Sequence, residues 1–315
     1  MLVKPGSTNP FQNESIAMKS TKINLNHLTG VLAFLLATTL FSCQKDTAVE
    51  PAVTEEESII MSEENAAADA EFEETAEIGF SADADLEAAS RNGIANFGAG
   101  IHANIDLFAE LQGRLGPCVT ITVTPNDSTY PKTVTIDYGD GCLCRDGKFR
   151  KGAIILHYTK PLRRPGAELT ITLRDYFVNR AHIEGKKIIK NQSTATVTQY
   201  SVAVIDGKVT WPNGRGFMYE KVKVVTQVRG NETITVRDDV YSIEGRSKTT
   251  YANGVTVNKN TESPLIKPVA CNWIVKGVLK IKINSRELFL DFGNGECDNK
   301  ALLKWNGHER EITLP

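Results

Sequence analysis

Apolar and polar residues alternate one by one in short runs from residue 118 to the end of the chain. The clearest runs are residues 119–124, 133–136, 169–174 and 273–283. Because successive side chains on a strand point to opposite faces, this alternation predicts strands with one buried face and one face in water. The threonines, valines and isoleucines that fill the runs fit such a pleated surface.

Turn signals separate many of these runs. They are the pairs Asp146-Gly147, Asp206-Gly207, Asn213-Gly214, Asn253-Gly254 and Asn306-Gly307. Such pairs supply the positive φ angles that tight hairpins require. We predict roughly twelve to fifteen strands. The predicted fold class of residues 117–315 is all-β, a large antiparallel meander arranged as a curved sheet, a sandwich or a partly closed barrel.

A different pattern opens the chain. Lys19 and Lys22 precede an apolar run over residues 31–41, which is too short to span a bilayer but fits the core of a signal peptide. The run ends in Leu40-Phe41-Ser42-Cys43, which resembles a lipobox.

The lipobox predicts a signal peptide over residues 1–42, with Met18 as an alternative start. Cleavage between Ser42 and Cys43 would leave Cys43 as the first residue, carrying a diacylglyceryl group and an acyl chain that anchor the protein to a membrane. An ordinary secretory signal followed by a chance cysteine is the alternative.

The formal net charge of −2 conceals two oppositely charged segments. Residues 44–90 contain 15 acidic residues and one lysine, whereas residues 91–315 contain 32 basic and 22 acidic residues. Few aromatic residues and many like charges favour an extended chain. We predict that residues 43–92 form a disordered acidic tether that lifts the body off the membrane; docking of this segment on the basic body is the alternative.

Residues 93–116 are predicted to form a short helical or irregular lead-in to the β body. Apolar residues recur at helical spacing over residues 101–111, whereas glycines interrupt the preceding stretch.

Two segments of the β body resemble each other. Each begins with a cysteine and a strand and ends in Asp, an aromatic residue, Gly, Asp or Asn, Gly and a second cysteine; they cover residues 117–142 and 270–297. The similarity suggests two related modules at the ends of the body. Chance likeness between β-hairpins is the alternative.

Five cysteines remain once Cys43 carries lipid. The repeated pattern pairs Cys118 with Cys142 and Cys271 with Cys297, and each disulfide would close a loop of about 25 residues. Cys144 is then left over, and Cys118 could pair with Cys142 or with Cys144.

Candidate chemistry is sparse. Asp137, Asp140 and Asp146 could supply oxygen ligands to Ca²⁺, although aspartate in turns more often accepts hydrogen bonds from nearby backbone amides. The sequence contains no Gly-x-Ser-x-Gly and no His-Glu-x-x-His motif. We therefore predict that the protein is not an enzyme; the alternative is a hydrolase whose site is assembled only in the fold.

Basic residues form three groups in the β body. They are Lys160, Arg163 and Arg164 in the first, Lys186, Lys187 and Lys190 in the second, and Lys276, Lys280 and Lys282 on one strand face in the third. A positive face would attract acidic glycans or lipopolysaccharide phosphates. The alternative is a solvated sheet face on which charges prevent edge pairing, and no specific nucleic acid partner is predicted.

The motifs support a family resemblance. Cys43-Gln44-Lys45-Asp46, followed by acidic residues, resembles the lipoprotein export signal of Bacteroidetes. The body is similar to uncharacterised Bacteroidetes outer-membrane lipoproteins, with their Cys–strand–Asp-Phe-Gly-Asp-Gly-Cys segments and closing Asn-Gly hairpins. This resemblance implies a lipid anchor in the outer membrane at the cell surface, with the periplasmic face as the alternative, and no particular activity. Asp137-Tyr-Gly-Asp-Gly also resembles the turn of polycystic-kidney-disease repeats, which we interpret as local turn chemistry.

Together these features predict a membrane-anchored lipoprotein with a non-catalytic binding or structural role in the cell envelope. Its expected partners are the membrane, through the anchor, and a glycan or another envelope component. A periplasm-facing lipid carrier or envelope assembly factor is the second prediction, because a curved antiparallel sheet can hold acyl chains on an apolar face. A hydrolase is the third.

Overall fold

The computed structural model describes residues 51–91, 107–233 and 236–314. The predicted signal peptide, the cleavage site at Ser42 and Cys43, and residues 93–106 of the lead-in lie outside these ranges and stay predictions. In the described ranges, no helix is both long enough and apolar enough to cross a membrane.

Strands dominate the described fold. Two α-helices, α1 (Glu55–Arg91) and α2 (Ala109–Leu115), precede them, and a 3₁₀ helix (Val236–Asp238) lies in one loop. The strands are β1 (Thr120–Thr124), β2 (Lys132–Asp137), β3 (Cys142–Leu143), β4 (Phe149–Tyr158), β5 (Glu168–Val178), β6 (Ala181–Asn191), β7 (Gln199–Thr210), β8 (Gly216–Arg229), β9 (Val240–Tyr251), β10 (Thr256–Pro268), β11 (Lys276–Ile283), β12 (Arg286–Asn294), β13 (Lys300–Trp305) and β14 (His308–Thr313).

All of these strands belong to one antiparallel sheet. Apart from the short β3, which pairs with β4 alone, each strand pairs with the next along the chain, from β1 and β2 to β13 and β14. The predicted all-β antiparallel meander is confirmed, and the sheet is open rather than closed.

The strand ends form two rows on opposite sides of the sheet, and the connections in the two rows differ. Short turns connect β5–β6, β7–β8, β9–β10, β11–β12 and β13–β14 in one row of strand ends, which we call the turn edge. Longer connections, residues 159–167, 192–198, 230–239, 269–275 and 295–299, lie in the opposite row, which we call the loop edge. Four of the predicted glycine pairs, Asp146-Gly147, Asn213-Gly214, Asn253-Gly254 and Asn306-Gly307, form turns at the turn edge, as predicted.

The fifth predicted turn is wrong. Asp206-Gly207 lies inside β7, where the register with β8 shifts between Val204 and Gly207. A shift in β6 at Gly185 lies opposite, and a Cβ on Gly185 would lie only 2.8 Å from the Gly207 Cα. Such bulges bend strands and increase their twist. Asp206 at this bulge has a φ of 52°, and tight hairpin turns use the same left-handed region, so the two sequence signals are alike.

The acidic segment forms an ordered helix. Thr54 caps α1 in a reciprocal box: the Glu57 amide donates to Thr54 Oγ1 at 3.2 Å, and the Thr54 amide donates to the Glu57 carboxylate at 2.8 Å. The prediction of a disordered tether is therefore wrong for Glu55–Arg91.

Helix α1 buries one stripe against the sheet. Ten buried positions follow a seven-residue repeat, namely Ser58, Met61, Asn65, Ala68, Phe72, Thr75, Gly79, Ala82, Leu86 and Ala89. Ala76, Ile78 and Asp83 are buried beside this stripe. Positions three and four apart lie on the same side of a helix. The stripe defines the inner face of the sheet as the face that α1 covers; the opposite face is the outer face.

The main core lies between α1 and the inner face. Phe72 stacks on Tyr219 of β8 with ring centroids 5.3 Å apart, and the Tyr158 hydroxyl donates to the Gly79 carbonyl at 2.7 Å. A smaller apolar cluster joins β10, β12 and β13 around Leu265, Phe292 and Ala301. The helix therefore supplies the second layer that an open sheet needs to bury one of its faces.

Candidate functional site

Three lysines form a row on the inner face. Lys187 and Lys221 both lie opposite Val204 of β7, and Lys221 and Lys259 both lie opposite Ser247 of β9. Lys187, Lys221 and Lys259 thus belong to one line across β6, β8 and β10. Their side chains are buried beneath α1, with 2%, 18% and 12% exposed. Three ammonium groups buried so close together need carboxylates from α1 to pair with them.

Asp69 of α1 neutralises one end of this row. Its carboxylate accepts from Lys221 Nζ at 3.1 Å and from Lys259 Nζ at 2.8 Å, and also from the Tyr219 hydroxyl. Burial opposes ionisation of Asp69, but the two ammonium groups overcome this effect and hold its pKa well below its usual range.

Glu73, one turn further along α1, neutralises the other end. Its carboxylate lies 2.7 Å from Lys223 Nζ, 3.1 Å from Lys221 Nζ and 3.7 Å from Lys187 Nζ. Although burial opposes ionisation of Glu73, these lysines lower its pKa to about 2. Burial also lowers the pKa of Lys187 to about 8, and the Lys187 ammonium donates to the Phe72 carbonyl at 2.6 Å.

A second charged cluster joins α1 to β4 near the turn edge. Arg150 has no exposed side-chain surface and pairs with Glu74 and, at 2.6 Å, with Asp146. Lys148 pairs with Glu71 at 2.8 Å and with Glu74 at 2.7 Å. Carboxylates of α1 thus neutralise basic residues at two places on the sheet, which agrees with the alternative prediction that the acidic segment docks on the basic body.

The C-terminal half of α1 carries a buried carboxyl group. Asp83 is 1% exposed, and its Oδ1 accepts the backbone amide of Leu162 at 2.9 Å. Burial and, less strongly, the nearby Glu87 raise the pKa of Asp83 to about 6, against the opposing effects of the hydrogen bond from Leu162 and of Arg163. Asp83 thus fastens the C-terminal half of α1 to the loop between β4 and β5.

In the middle of strand β8, lysines face the core and valines face the solvent, the reverse of the usual arrangement. Phe217 and Tyr219 point to the inner face, so Lys221 and Lys223 follow on that face and Val222 and Val224 point outward. Hydrophobic residues normally face the core. The inversion is tolerated because α1 supplies carboxylates to the lysines.

The outward valines belong to an apolar depression on the outer face. Ile188, Ala203 and Val222 are neighbours in register across β6, β7 and β8. Ile205, Val222 and Val224 are 42%, 43% and 37% exposed. The depression has a volume of about 670 Å³, and the charged side chains Lys190, Glu244 and Arg246 line it as well. We call this surface the outer apolar patch.

The second cavity is polar. It lies beside α1 with a volume of about 400 Å³ and is lined by Ala70, Glu73, Glu74, Glu77, Arg114, Leu115 and Asp146. Its carboxylates already pair with basic residues, for example Glu77 with Arg114 at 3.0 Å. Neither cavity is an apolar chamber between α1 and the sheet.

The structure separates the predicted basic residues. Lys160, Arg163 and Arg164 are exposed in the connection between β4 and β5 at the loop edge, and Lys186 and Lys190 are exposed on the outer face. The inclusion of Lys187 in an exposed basic patch is wrong. Like Ile189, two positions further along β6, Lys187 is buried on the inner face beneath α1.

The predicted calcium ligands lie in separate interactions. Asp137 accepts the Gly139 amide at 2.8 Å and pairs with Arg174 at 3.1 Å, Asp146 pairs with Arg150, and Asp140 is exposed in a turn. Among the described residues, no group of three or more His, Cys, Asp or Glu side chains is arranged to hold a metal ion.

The cysteine pairing agrees with the repeated sequence pattern. Cys118 bonds Cys142 and Cys271 bonds Cys297, with Cα atoms 5.7 and 5.8 Å apart. Cys144 is buried as a free thiol, and burial raises its pKa. The choice between Cys142 and Cys144 is therefore settled for the folded chain.

Comparison with known proteins adds no relative. No family model, no curated protein and no solved structure matches the chain.

Proposed function

We propose that the protein is a lipid-anchored lipoprotein of the outer membrane with a non-catalytic binding role at the cell surface. The observation that carries the binding role is the inverted strand β8, which buries Lys221 and Lys223 and exposes Val222 and Val224. Exposed apolar surface of this kind marks interaction sites in soluble domains. The signal-like run and Cys43 support the anchor.

The outer apolar patch fits an envelope component that presents both apolar and charged groups. Ile205, Val222 and Val224 offer apolar area, whereas Lys190 and Arg246 at its margin would pair with anionic groups of the partner. An acidic glycan with an apolar substituent and a protein surface of mixed character both have this chemistry.

The anchor is tested by replacing the acylated cysteine. Cys43→Ala should abolish incorporation of labelled palmitate and release the protein from the membrane fraction. Cys144→Ala is the matched control, because it removes the other unpaired cysteine and should leave labelling intact. Labelling that survives in Cys43→Ala would reject the anchor.

The binding role is tested by photo-crosslinking in intact cells. A crosslinking residue at Val222 should yield a discrete adduct, and the same residue at Thr135, on the outer face of β2, should yield none. Adding Val224→Asp should reduce the yield at position 222, since a charge in the patch opposes burial of apolar surface. Equal adducts at both positions would contradict a binding site in the patch.

A further inference from the structure

The start of α1 is fastened to the turn edge. Asn284, in the turn between β11 and β12, donates from Nδ2 to the Pro51 carbonyl at 2.9 Å. A Cβ on Gly254, in the turn between β9 and β10, would lie 3.9 Å from Pro51 Cγ. Val53 packs against the main core. Pro51, the first residue that the structure describes, therefore lies beside two hairpin turns.

The ordered helix shortens the connection to the anchor. Seven residues lie between Cys43 and Pro51, and the eight Cα–Cα steps that they make span at most about 28 Å. A disordered connection through residue 92 could have reached up to about 170 Å. The turns at Gly254 and Asn284 are therefore held close to whatever surface carries the acyl chains of Cys43.

We propose that the turn edge around Gly254 and Asn284 faces the bilayer and that the loop edge points away from it. This inference rests on the proposed acylation of Cys43. Strand β9 contains 12 residues and so spans about 40 Å between the two edges. The body then stands on its turns, and the loop carrying Lys160, Arg163 and Arg164 is displayed at the distant edge.

The chemistry of the turn edge fits phospholipid headgroups. The turn residues Asn253 and Ser285 are polar and exposed. Lys282 and Arg286 are exposed beside the Asn284 turn and take part in no ion pair among the residues that the structure describes. Exposed basic residues near a membrane are attracted to anionic headgroups.

Resonance energy transfer from a fluorophore on the protein to an acceptor at the membrane surface tests the proposed orientation of the sheet. A fluorophore on Ser285→Cys reports the turn edge and one on Glu232→Cys, an exposed residue between β8 and β9, reports the loop edge. The acylated full-length protein is purified from membranes and placed in phosphatidylethanolamine–phosphatidylglycerol vesicles that carry a headgroup acceptor. Transfer should be markedly stronger from position 285 than from position 232, and the unsubstituted protein controls for labelling of Cys144.

Lengthening the connection provides the matched control. A flexible Gly/Ser insert of about 30 residues between Asp46 and Thr47 should remove most of the difference between the two labels. Mass spectrometry of the same preparation reports the state of Cys43. Equal or reversed transfer with acylated Cys43 would overturn the orientation alone, whereas unmodified Cys43 would overturn both the orientation and the proposed anchor.

Discussion

Asp69 is the carboxylate on which the buried Lys259 depends, because the structure describes no other ion pair for that lysine. Asp69→Asn keeps the shape of the side chain and removes the charge. We expect a loss of about 3 kcal/mol in the free energy of unfolding at pH 7, because a buried ammonium group loses its partner. Urea denaturation followed by circular dichroism measures the loss.

The same helix supplies a control for this loss. Glu77 pairs with Arg114, and 68% of its side chain is exposed, so Glu77→Gln should cost less than about 1 kcal/mol. Adding Lys259→Met to Asp69→Asn should cost less than the sum of the single changes, since the orphaned charge is removed. Additive losses would show that the two side chains are not coupled.

Asp83 provides a pH-dependent prediction. Its pKa is about 6 in the folded protein against 3.8 for an unperturbed group, so the folded state binds more protons between these values. The contribution of Asp83 is therefore fully favourable below 3.8 and weakens as the pH rises through about 6. Asp83→Asn retains an acceptor for the Leu162 amide and should be the more stable protein at pH 7, by on the order of 2 kcal/mol.

Unfolding free energies at a series of pH values measure this effect. The difference between Asp83→Asn and the wild type should grow between pH values of about 4 and 6. Asp140→Asn, at an exposed turn position, should follow the wild-type profile. A constant difference across the range would contradict the assigned role of Asp83.

At the scale of single elements, α1 depends on close approach to the sheet at Gly79. A Cβ there would lie 2.6 Å from Cδ2 of Leu169, whose side chain is fully buried. Gly79→Ala should therefore destabilise the protein by about 1–3 kcal/mol, despite the better helix propensity of alanine. Gly113→Ala in α2, where nothing lies within 4 Å, should instead stabilise it by up to about 1 kcal/mol. Thermal melts of both variants decide the matter, and a stabilised Gly79→Ala would show that α1 is not pressed on Leu169.

The burial of α1 was hard to predict because its buried stripe is made largely of small and polar residues. Ser58, Asn65, Thr75 and Gly79 occupy positions that apolar residues usually fill, so the search for an apolar period of 3.6 residues missed the stripe. Two signals were present in the sequence. One was the seven-residue spacing that includes Met61, Phe72 and Leu86, and the other was Thr54 followed three residues later by Glu57.

The sequence pattern also could not predict that the lysines of β8 face the core and its valines face the solvent. Lys221 and Lys223 alternate with Val222 and Val224, which would ordinarily predict buried valines. The large aromatic Tyr219 fixes the opposite choice by stacking on Phe72. That partner is 147 positions away in the chain, and periodicity within one strand carries no information on so distant a contact.

At the scale of the whole molecule, the sequence pattern predicted the antiparallel meander but not the helix layer that covers its inner face. Alternation and glycine-containing turns are local signals, and a sheet in which neighbours in sequence pair is specified largely by local signals. The layer that covers the inner face comes from the acidic segment, whose net charge favoured disorder when considered alone. Its folding becomes favourable on the sheet, where lysines pair with its carboxylates and apolar residues such as Phe72 and Leu86 are buried.

Because α1 packs its buried stripe against the main core, we expect it to open only when the sheet unfolds. Amides of residues 61–86 should exchange hydrogen with the same free energy as those of β6 and β8, in native-state exchange followed by mass spectrometry. Asp69→Asn should lower both free energies equally, since Asp69 belongs to a single cooperative unit with Lys221 and Lys259. Fast exchange of α1 beside a protected sheet would mean that the helix detaches on its own, and the short connection between the proposed anchor and the turn edge would then be lost whenever it does.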